Sequence, residues 1–277
     1  MTKLSIITIN YNNASGLRKT IESVLNQSSK DFEYIVIDGA STDASVDVIK
    51  EFEDKITYWI SEPDNGIYNA MNKGIHIAKG EYCQFLNSGD YLAANDVTEK
   101  MLENMPKCSI LYGNMLKLMP GGKILYNKEN NVDSFFTFYR GTLNHSSAYI
   151  MRNLFEKYGY YDEKLKIVSD WKFYLTAIGI HNELVVYRNI DVNFFDMNGI
   201  SNTNSSLIKE ERLQVLKEVL PQNILADYIV YKTSILQMNR INRYKISKGL
   251  VWFFDRILFK FEKMKTKRKG KHLFYTI

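Results

Sequence analysis

Up to Asp90 the chain alternates short apolar runs with stretches whose apolar residues recur at helical spacing. Leu4 to Ile9 is an apolar run rich in β-branched residues, which predicts a buried strand. After the loop Asn10-Tyr11-Asn12-Asn13, Leu17, Ile21, Val24 and Leu25 share one helical face. Tyr34 to Ile37 predicts a second strand ending at Asp38-Gly39. Ser41-Thr42-Asp43 supplies cap-type residues for a helix carrying Val46, Ile49 and Phe52. Ile56 to Ile60 reads as a third strand, and Ser61 to Gly66 as a turn. Ile67, Ala70, Met71, Gly74, Ile75 and Ala78 then predict the clearest helix of the chain, which Gly80 stops. A further strand runs into Asn87-Ser88-Gly89-Asp90. Strand–helix alternation with such short connections implies right-handed crossovers and a mostly parallel, Rossmann-like α/β sheet flanked by helices.

Beyond Asp90 the pattern loosens. Asn95 is placed to cap a helix with Val97, Met101 and Leu102. Ser109–Tyr112 and Lys123–Tyr126 predict two strands joined by a Pro120-Gly121-Gly122 turn. Ser147–Met151 follows as a strand after Leu143-Asn144-His145-Ser146. Ser169 is an expected N-cap for a helix holding Asp170 and Trp171. Leu184–Tyr187 and Asp191–Phe195 return to strand character. From Ser205 the chain reads as helical to about Leu236, and again from about Ser247. These boundaries predict a catalytic-type domain over 1–203 and a helical C-terminal extension over 204–277.

Charged residues make up 24% and apolar ones 45% of 277 residues, which excludes a disordered chain. Cys83 and Cys108 sit in apolar runs and read as core residues of a reducing compartment. The first residues enter a strand at once and no run spans a bilayer, so the expected location is cytoplasmic. The net charge of +5 is concentrated. Lys260, Lys263, Lys265, Lys267, Arg268, Lys269 and Lys271 crowd the C-terminus, a tail that seeks a polyanion. Just before it, Leu250, Phe254, Ile257, Leu258 and Phe261 share a helical face that Trp252, Phe253 and Phe259 widen. This basic amphipathic helix is expected to dock on the anionic inner face of a membrane, with no nucleic-acid partner.

The strand ends carry the candidate chemistry. Gly-x-Gly-x-x-Gly and Gly-Lys-Ser/Thr phosphate loops are absent, which argues against dinucleotide and P-loop functions. Instead the ends present Asn10 with Tyr11, Asp38, and Asp64 with Asn65. A ring that can stack and a set of acceptors suit a nucleoside diphosphate. Asp90, at the end of a central strand, can hold a hard divalent cation, Mn2+ or Mg2+. Taken alone, Asp90 could as well close a turn, Asp38 make an Asx turn, and Asp170 answer a helix dipole.

Together these segments resemble the inverting GT-A glycosyltransferases of family 2. The resemblance rests on Ser5 to Asn12, Val36 to Asp43, Glu62 to Gly74 and Phe85 to Asp90. The Asp64–Gly74 version is most similar to the branch with a colanic-acid glycosyltransferase. It covers about residues 3 to 200 and implies a nucleotide-sugar donor, by family a UDP-sugar, and a glycan or lipid-linked acceptor in surface polysaccharide assembly. Carried over position by position, Thr8, Asn10, Tyr11 and Asp38 would line the nucleoside pocket. Asp64, Asn65, Asn87 and Ser88 would complete it. Asp90 would be the metal-binding end of the DxD-type motif and Asp170 the general base. His145 would approach the diphosphate, with a satisfied structural histidine as the alternative. Read from the residues alone, Trp171 is core, and an aromatic beside a base could also stack on an acceptor sugar. Two departures stand out: Ser or Asn occupies the first acidic position of the DxD-type motif, and Asn69 replaces a common Asp. The rival readings are a binding protein without turnover, a sugar nucleotidyltransferase, for which a Gly-rich basic loop is missing, and nucleic-acid binding through the tail.

Overall fold

The computed structural model describes residues 2–119, 124–127, 134–197, 204–241 and 245–269. The chain divides into two units, Met1–Val215 and Leu216–Ile277. In the first, β1 (Leu4–Asn10), α1 (Ala14–Leu25), β2 (Phe32–Asp38), α2 (Ser45–Glu51), β3 (Tyr58–Ser61), α3 (Ile67–Ile77) and β4 (Tyr82–Phe85) follow one another as the pattern predicts. Then come β5 (Tyr91–Leu92), α4 (Val97–Leu102), β6 (Ile110–Leu118), β7 (Ile124–Asn127), α5 (Phe135–Arg140), β8 (Ala148–Met151), α6 (Asn153–Tyr158), α7 (Ser169–Tyr174), β9 (Val185–Phe195) and most of α8 (Ser205–Val219). The predicted Pro120-Gly121-Gly122 turn lies outside the described residues, as does Lys271.

The strands form one sheet in the order β3-β2-β1-β4-β8-β6-β9-β5, with β7 paired to β6. β1 to β4 pair in parallel. β6 and β9 run the same way, and β5, β7 and β8 run against them. The sheet is thus mostly parallel in direction, and the α/β class is the expected one. β1 lies between β2 and β4, so the strand order reverses at its carboxyl end. Open α/β sheets leave a ligand crevice at that point.

Side-chain alternation along β1 sets up the two helical layers. Leu4 and Ile6 pack with Leu17, Ile21 and Val24 of α1 and with Val48 and Ile49 of α2. Ile7 points the other way and meets Gly74 of α3. On that second face Phe85, Phe155, Tyr161 and Phe173 form an aromatic cluster with edge-on and stacked contacts. Each fully buried Ile, Leu or Phe contributes roughly 1.5–3 kcal/mol, so both layers are held firmly to the sheet. Cys83 and Cys108 are buried free thiols.

Helix capping departs in detail from the expectation at three places. Asp43 flanks Ala44, the N-cap residue of α2, and its carboxylate accepts from Ser45 N at 2.9 Å and Ala14 N at 3.0 Å. It therefore serves two helix starts. Asp96, not Asn95, precedes α4, and Gln27 Oε1 accepts from Thr98 N at 3.0 Å. Ser169 is the first residue of α7 and its hydroxyl accepts from Asp162 N instead. The expected strands 184–187 and 191–195 are one strand, β9, with register shifts opposite Tyr112 and Asn114.

In the second unit α8 ends and Pro221 separates it from α9 (Gln222–Ile241), inside the predicted 205–236 helix. A proline lacks the N–H that the ladder needs. The last helix, α10 (Lys245–Lys269), leaves Leu250, Trp252, Phe253, Phe254, Leu258, Phe259 and Phe261 each over half exposed. Among the described residues no helix is long and apolar enough to cross a membrane.

Candidate active site

β1 and β2 end in register, Asn10 beside Asp38. Asp38 Oδ1 accepts from Asn10 Nδ2 at 2.7 Å and Ser41 Oγ at 2.6 Å. Its Oδ2 accepts from Ser41 N at 2.9 Å and Ser61 Oγ at 2.6 Å. With 0% exposure and four donors, this carboxylate ties the ends of β1, β2 and β3 together. Thr8 is also fully buried; it shares a hydrogen bond with Tyr34 Oη (3.0 Å) and donates to the Leu86 carbonyl (2.8 Å). Thr8, Asn10 and Asp38 are thus all buried at the strand ends. Buried donors and acceptors are normally paired, and Asn10 Oδ1 alone of their side-chain oxygens has no partner.

Beside them Tyr11 is exposed, Asp64 half-buried and Gly39 buried. Tyr11 is 67% exposed, as a stacking ring should be. A Cβ on Gly39 would overlap the Asp64 carboxylate and come within 3.3 Å of the Tyr11 ring. Asp64 Oδ1 accepts from Gly66 N at 2.9 Å, which fixes the turn before α3. Asn65 is exposed beside it, its N–H on Asn69 Oδ1 at 3.2 Å. Asn69 and Asn72 both donate to Glu163 at 2.9 Å. An acid at 69 would face that carboxylate, which explains why Asn stands there.

Asn87, Ser88, Asp90, His145, Asp170 and Trp171 line one cavity of about 250 Å³. The turn His145–Ser147 that carries the histidine is held from three sides. Asn144 Oδ1 accepts from Ser146 N at 2.9 Å, Gln84 Nε2 donates to the Ser146 carbonyl at 2.8 Å, and Asn193 Nδ2 to Ser146 Oγ at 2.8 Å. His145 Nδ1 lies 3.3 Å from Asp170 Oδ2. Burial alone would lower the imidazole pKa, but the bond to Asp170 and the charges of Asp170 and Asp90 raise it above its ordinary value. Its Nε2 lies 3.3 Å from Asn87 Nδ2, while Asn87 Oδ1 has no partner. Rotating that amide by half a turn lets Oδ1 accept from the protonated ring, so His145 donates on both sides.

Asp90 is 2% exposed; Oδ1 accepts from Asp196 N at 2.7 Å and Oδ2 has no partner. Burial pushes its carboxyl up to about 7, opposed by the Asp196 N–H and the His145 charge, with the nearby Asp196 charge adding to the rise. An orphaned buried carboxylate oxygen facing a cavity suits a hard cation, so the residues fit Mn2+ or Mg2+. Among the described residues no three His, Cys, Asp or Glu side chains form a closed metal cluster. Trp171 lines the cavity but is 1% exposed, its indole N–H on the Phe138 carbonyl at 2.7 Å. It is a buried wall of the cavity.

Four residues at the site carry no sequence expectation. Tyr68 Oη donates to Asp170 Oδ1 at 3.0 Å and to the Ile167 carbonyl at 2.6 Å. Glu211 of α8 accepts from Lys166 N at 2.7 Å and Ile167 N at 3.0 Å, so it fixes the segment that leads into α7 and Asp170. Arg212 lies 4.7 Å over the Trp171 ring with Nε unpartnered in the same cavity. Asp196 follows β9 directly. Tyr68 had a signal, since it opens the apolar face of α3; the other three are set by tertiary packing.

Residues 5–156 match the family described as Glycosyl transferase family 2, over half the chain. The chain belongs to that family. A family 2 relative in Mycobacterium tuberculosis, an uncharacterized glycosyltransferase, is 33% identical over 183 residues, covering 63% of this chain and 68% of its own. A PGL/p-HBAD biosynthesis glycosyltransferase of Mycobacterium bovis is 26% identical over 207 residues, covering 72% and 79%. The fold is shared with S. aureus TarS 1-349 in complex with UDP-GlcNAc, at TM-score 0.61 and 18% identity over 77% of this chain and 64% of that one. It is also shared with the mannosyltransferase PcManGT of Pyrobaculum calidifontis in complex with GDP-Man and Mn2+, at TM-score 0.55 and 13% identity over 90% and 82%. The chain spans less than two thirds of that TarS chain. These neighbours place the family 2 chain in the GT-A fold, as expected.

Proposed function

We propose that this family 2 protein moves a sugar, with inversion, from a UDP-sugar to a hydroxyl of a glycan or lipid-linked acceptor in surface polysaccharide or glycolipid assembly. The observation that carries the reading is that Asp90 and Asp170 line one cavity, with His145 hydrogen-bonded to Asp170 and beside Asn87. The complexes of TarS with UDP-GlcNAc and of PcManGT with GDP-Man and Mn2+ support a nucleotide-sugar donor and a metal. The mycobacterial PGL/p-HBAD relative supports a glycolipid setting.

In this reading Tyr11, Asp64 and Asn65 take the nucleoside, and Asn87, Ser88 and Asp90 the diphosphate end. Asp170 accepts the proton of the acceptor hydroxyl. The freed oxygen bonds to the anomeric carbon as the bond to the diphosphate breaks, and that electron pair leaves with the diphosphate. Tyr68 and His145 hold the Asp170 carboxylate in place while it waits for the proton. Protonated His145 also supplies positive charge on the leaving-group side. A divalent cation held at Asp90 would neutralise departing negative charge. The exposed aromatic surface of α10 supports docking at the inner face of a membrane, where a lipid-linked acceptor would be presented. The test is release of UDP from a panel of UDP-sugars with Mn2+ or with EDTA, together with the anomeric configuration of the product. Product with the donor's own anomeric configuration, or release unchanged by Asp170→Asn, contradicts the reading.

A further inference from the structure

The family's paired acid next to Asp90 is missing from the strand-end motif, where Asn87-Ser88 stands. The fold brings a second carboxylate to the same place from far along the chain. β5 and β9 pair antiparallel, Tyr91 opposite Phe194 and Leu92 opposite Asn193, so the segment leaving β9 passes back over Gly89 and Asp90. The Asp196 N–H donates to Asp90 Oδ1 at 2.7 Å. Gly89 has φ +104°, and a Cβ there would sit 2.7 Å from Asp196 Oδ2 and 3.2 Å from Asp196 Cβ. The Asp196 carboxylate therefore lies directly over the glycine that precedes Asp90, and both acids line the cavity.

Two carboxylates so placed repel each other and would repel a diphosphate as well. Asp90 Oδ2, in a residue 2% exposed, has no hydrogen-bond partner, and the His145 charge offsets the repulsion only in part. Of the basic side chains that line the cavity along with Lys166, His145 is hydrogen-bonded to Asp170 and Arg212 is stacked on Trp171 at 4.7 Å. A small divalent cation removes the conflict. Such ions are commonly held by one or two carboxylates with the rest of the shell from substrate phosphates and water, so a closed protein cage is not required. We propose that Asp196 is the second carboxylate of the metal site, replacing the absent first acid of the strand-end motif. This rests on the metal-dependent reading above. It assigns the site a split origin, one ligand from the β4–β5 corner and one from the end of β9, and it makes Gly89 the residue that permits their approach.

The test is Mn2+ binding to the full chain with saturating UDP, read from the electron paramagnetic resonance signal of free Mn2+. Asp196→Asn is expected to weaken Mn2+ binding by about tenfold or more, and Asp90→Asn at least as much. Adding Ser88→Asp to Asp196→Asn restores part of the affinity, because it rebuilds an acid at the motif position. If Asp196→Asn binds Mn2+ within twofold of wild type while Asp90→Asn does not, Asp196 is not a ligand, though the metal reading survives. If wild type binds no Mn2+ and its UDP affinity is the same in EDTA, the metal reading itself is wrong and this proposal falls with it. Should Asp196→Asn not fold, Fe2+-directed oxidative cleavage of the wild-type protein decides. Cuts at both 88–90 and 195–197 support the assignment, and cuts confined to 88–90 overturn it.

Discussion

Replacing Asp90 by Asn should make the metal-free protein more stable and the enzyme inactive. In the fold, burial holds this carboxyl up to about 7 from an ordinary 3.8. Below about pH 4 the acid is neutral in both folded and unfolded chains and has no effect. Between about pH 4 and 7 the unfolded chain has released the proton and the folded one has kept it, so wild-type stability falls as pH rises. Above about 7 the loss is complete, and at 1.36 kcal/mol per pKa unit it amounts to about 4 kcal/mol. Asn removes that penalty and its Oδ1 can still accept from Asp196 N, but its amide N–H atoms are buried without an acceptor, a cost of about 1–3 kcal/mol. The net gain at pH 8 is therefore about 1–3 kcal/mol, or roughly 3–10 °C in Tm for a unit of this size. Calorimetric melts in EDTA at pH 4.5, 6 and 8 should show the variant's advantage absent at the lowest pH and largest at the highest. Mn2+ with UDP should then stabilise wild type and leave the variant unchanged. A variant less stable than wild type by the same amount at every pH would refute the reasoning, since Asp90 would then carry no burial penalty.

The other predictions concern the two ends of the cavity and the last helix. Asp170→Asn should lower kcat by about 10²-fold or more with donor affinity retained, measured by UDP release and by calorimetric titration with UDP. Tyr68→Phe, which removes one hydrogen bond to Asp170, should cost about 3–10-fold in kcat with little change in donor KM. Gly39→Ala pushes a methyl into the Asp64 carboxylate, so UDP binding should weaken about tenfold while the melting temperature moves little. A chain ending at Lys248 should lose flotation with anionic liposomes that the full chain retains; equal binding by both, or none by either, rules out docking through α10.

How far the sequence could be read depended on whether a feature is set by neighbours in the chain or by distant ones. Apolar runs and helical patterns through β4 are sufficient for the parallel half of the sheet, because its central strands are buried on both faces. The same reading placed Thr8, Asn10 and Asp38 in the pocket on motif alone. It could not see that all three are buried at the strand ends, with Asp38 bonded to Asn10, while Tyr11 stays exposed. Capping departs in detail for a similar reason. Asp43, Gln27 and Glu211 satisfy the first N–H groups of helices or turns, two of them across more than forty residues of chain. Asp196 was invisible because an acid after a strand carries no signal until antiparallel pairing of β5 with β9 turns it over Gly89.

The cavity is divided along the chain in a way that bears on how such proteins diversify. Tyr11, Asp38, Asp64 and Asp90 all precede residue 91, inside the stretch that matches the family. Asp170, Trp171, Arg212 and the Glu211 clamp all follow residue 156, outside it. In the proposed reading, donor recognition and acceptor recognition are therefore encoded in consecutive, nearly separable segments of the chain. Recombination between relatives at the β8–α6 junction could exchange the acceptor wall while leaving the donor segment whole. Asp196 is the exception. It travels with the acceptor segment yet faces Asp90, so any such chimaera must carry either an acid at 196 or one restored beside Asp90.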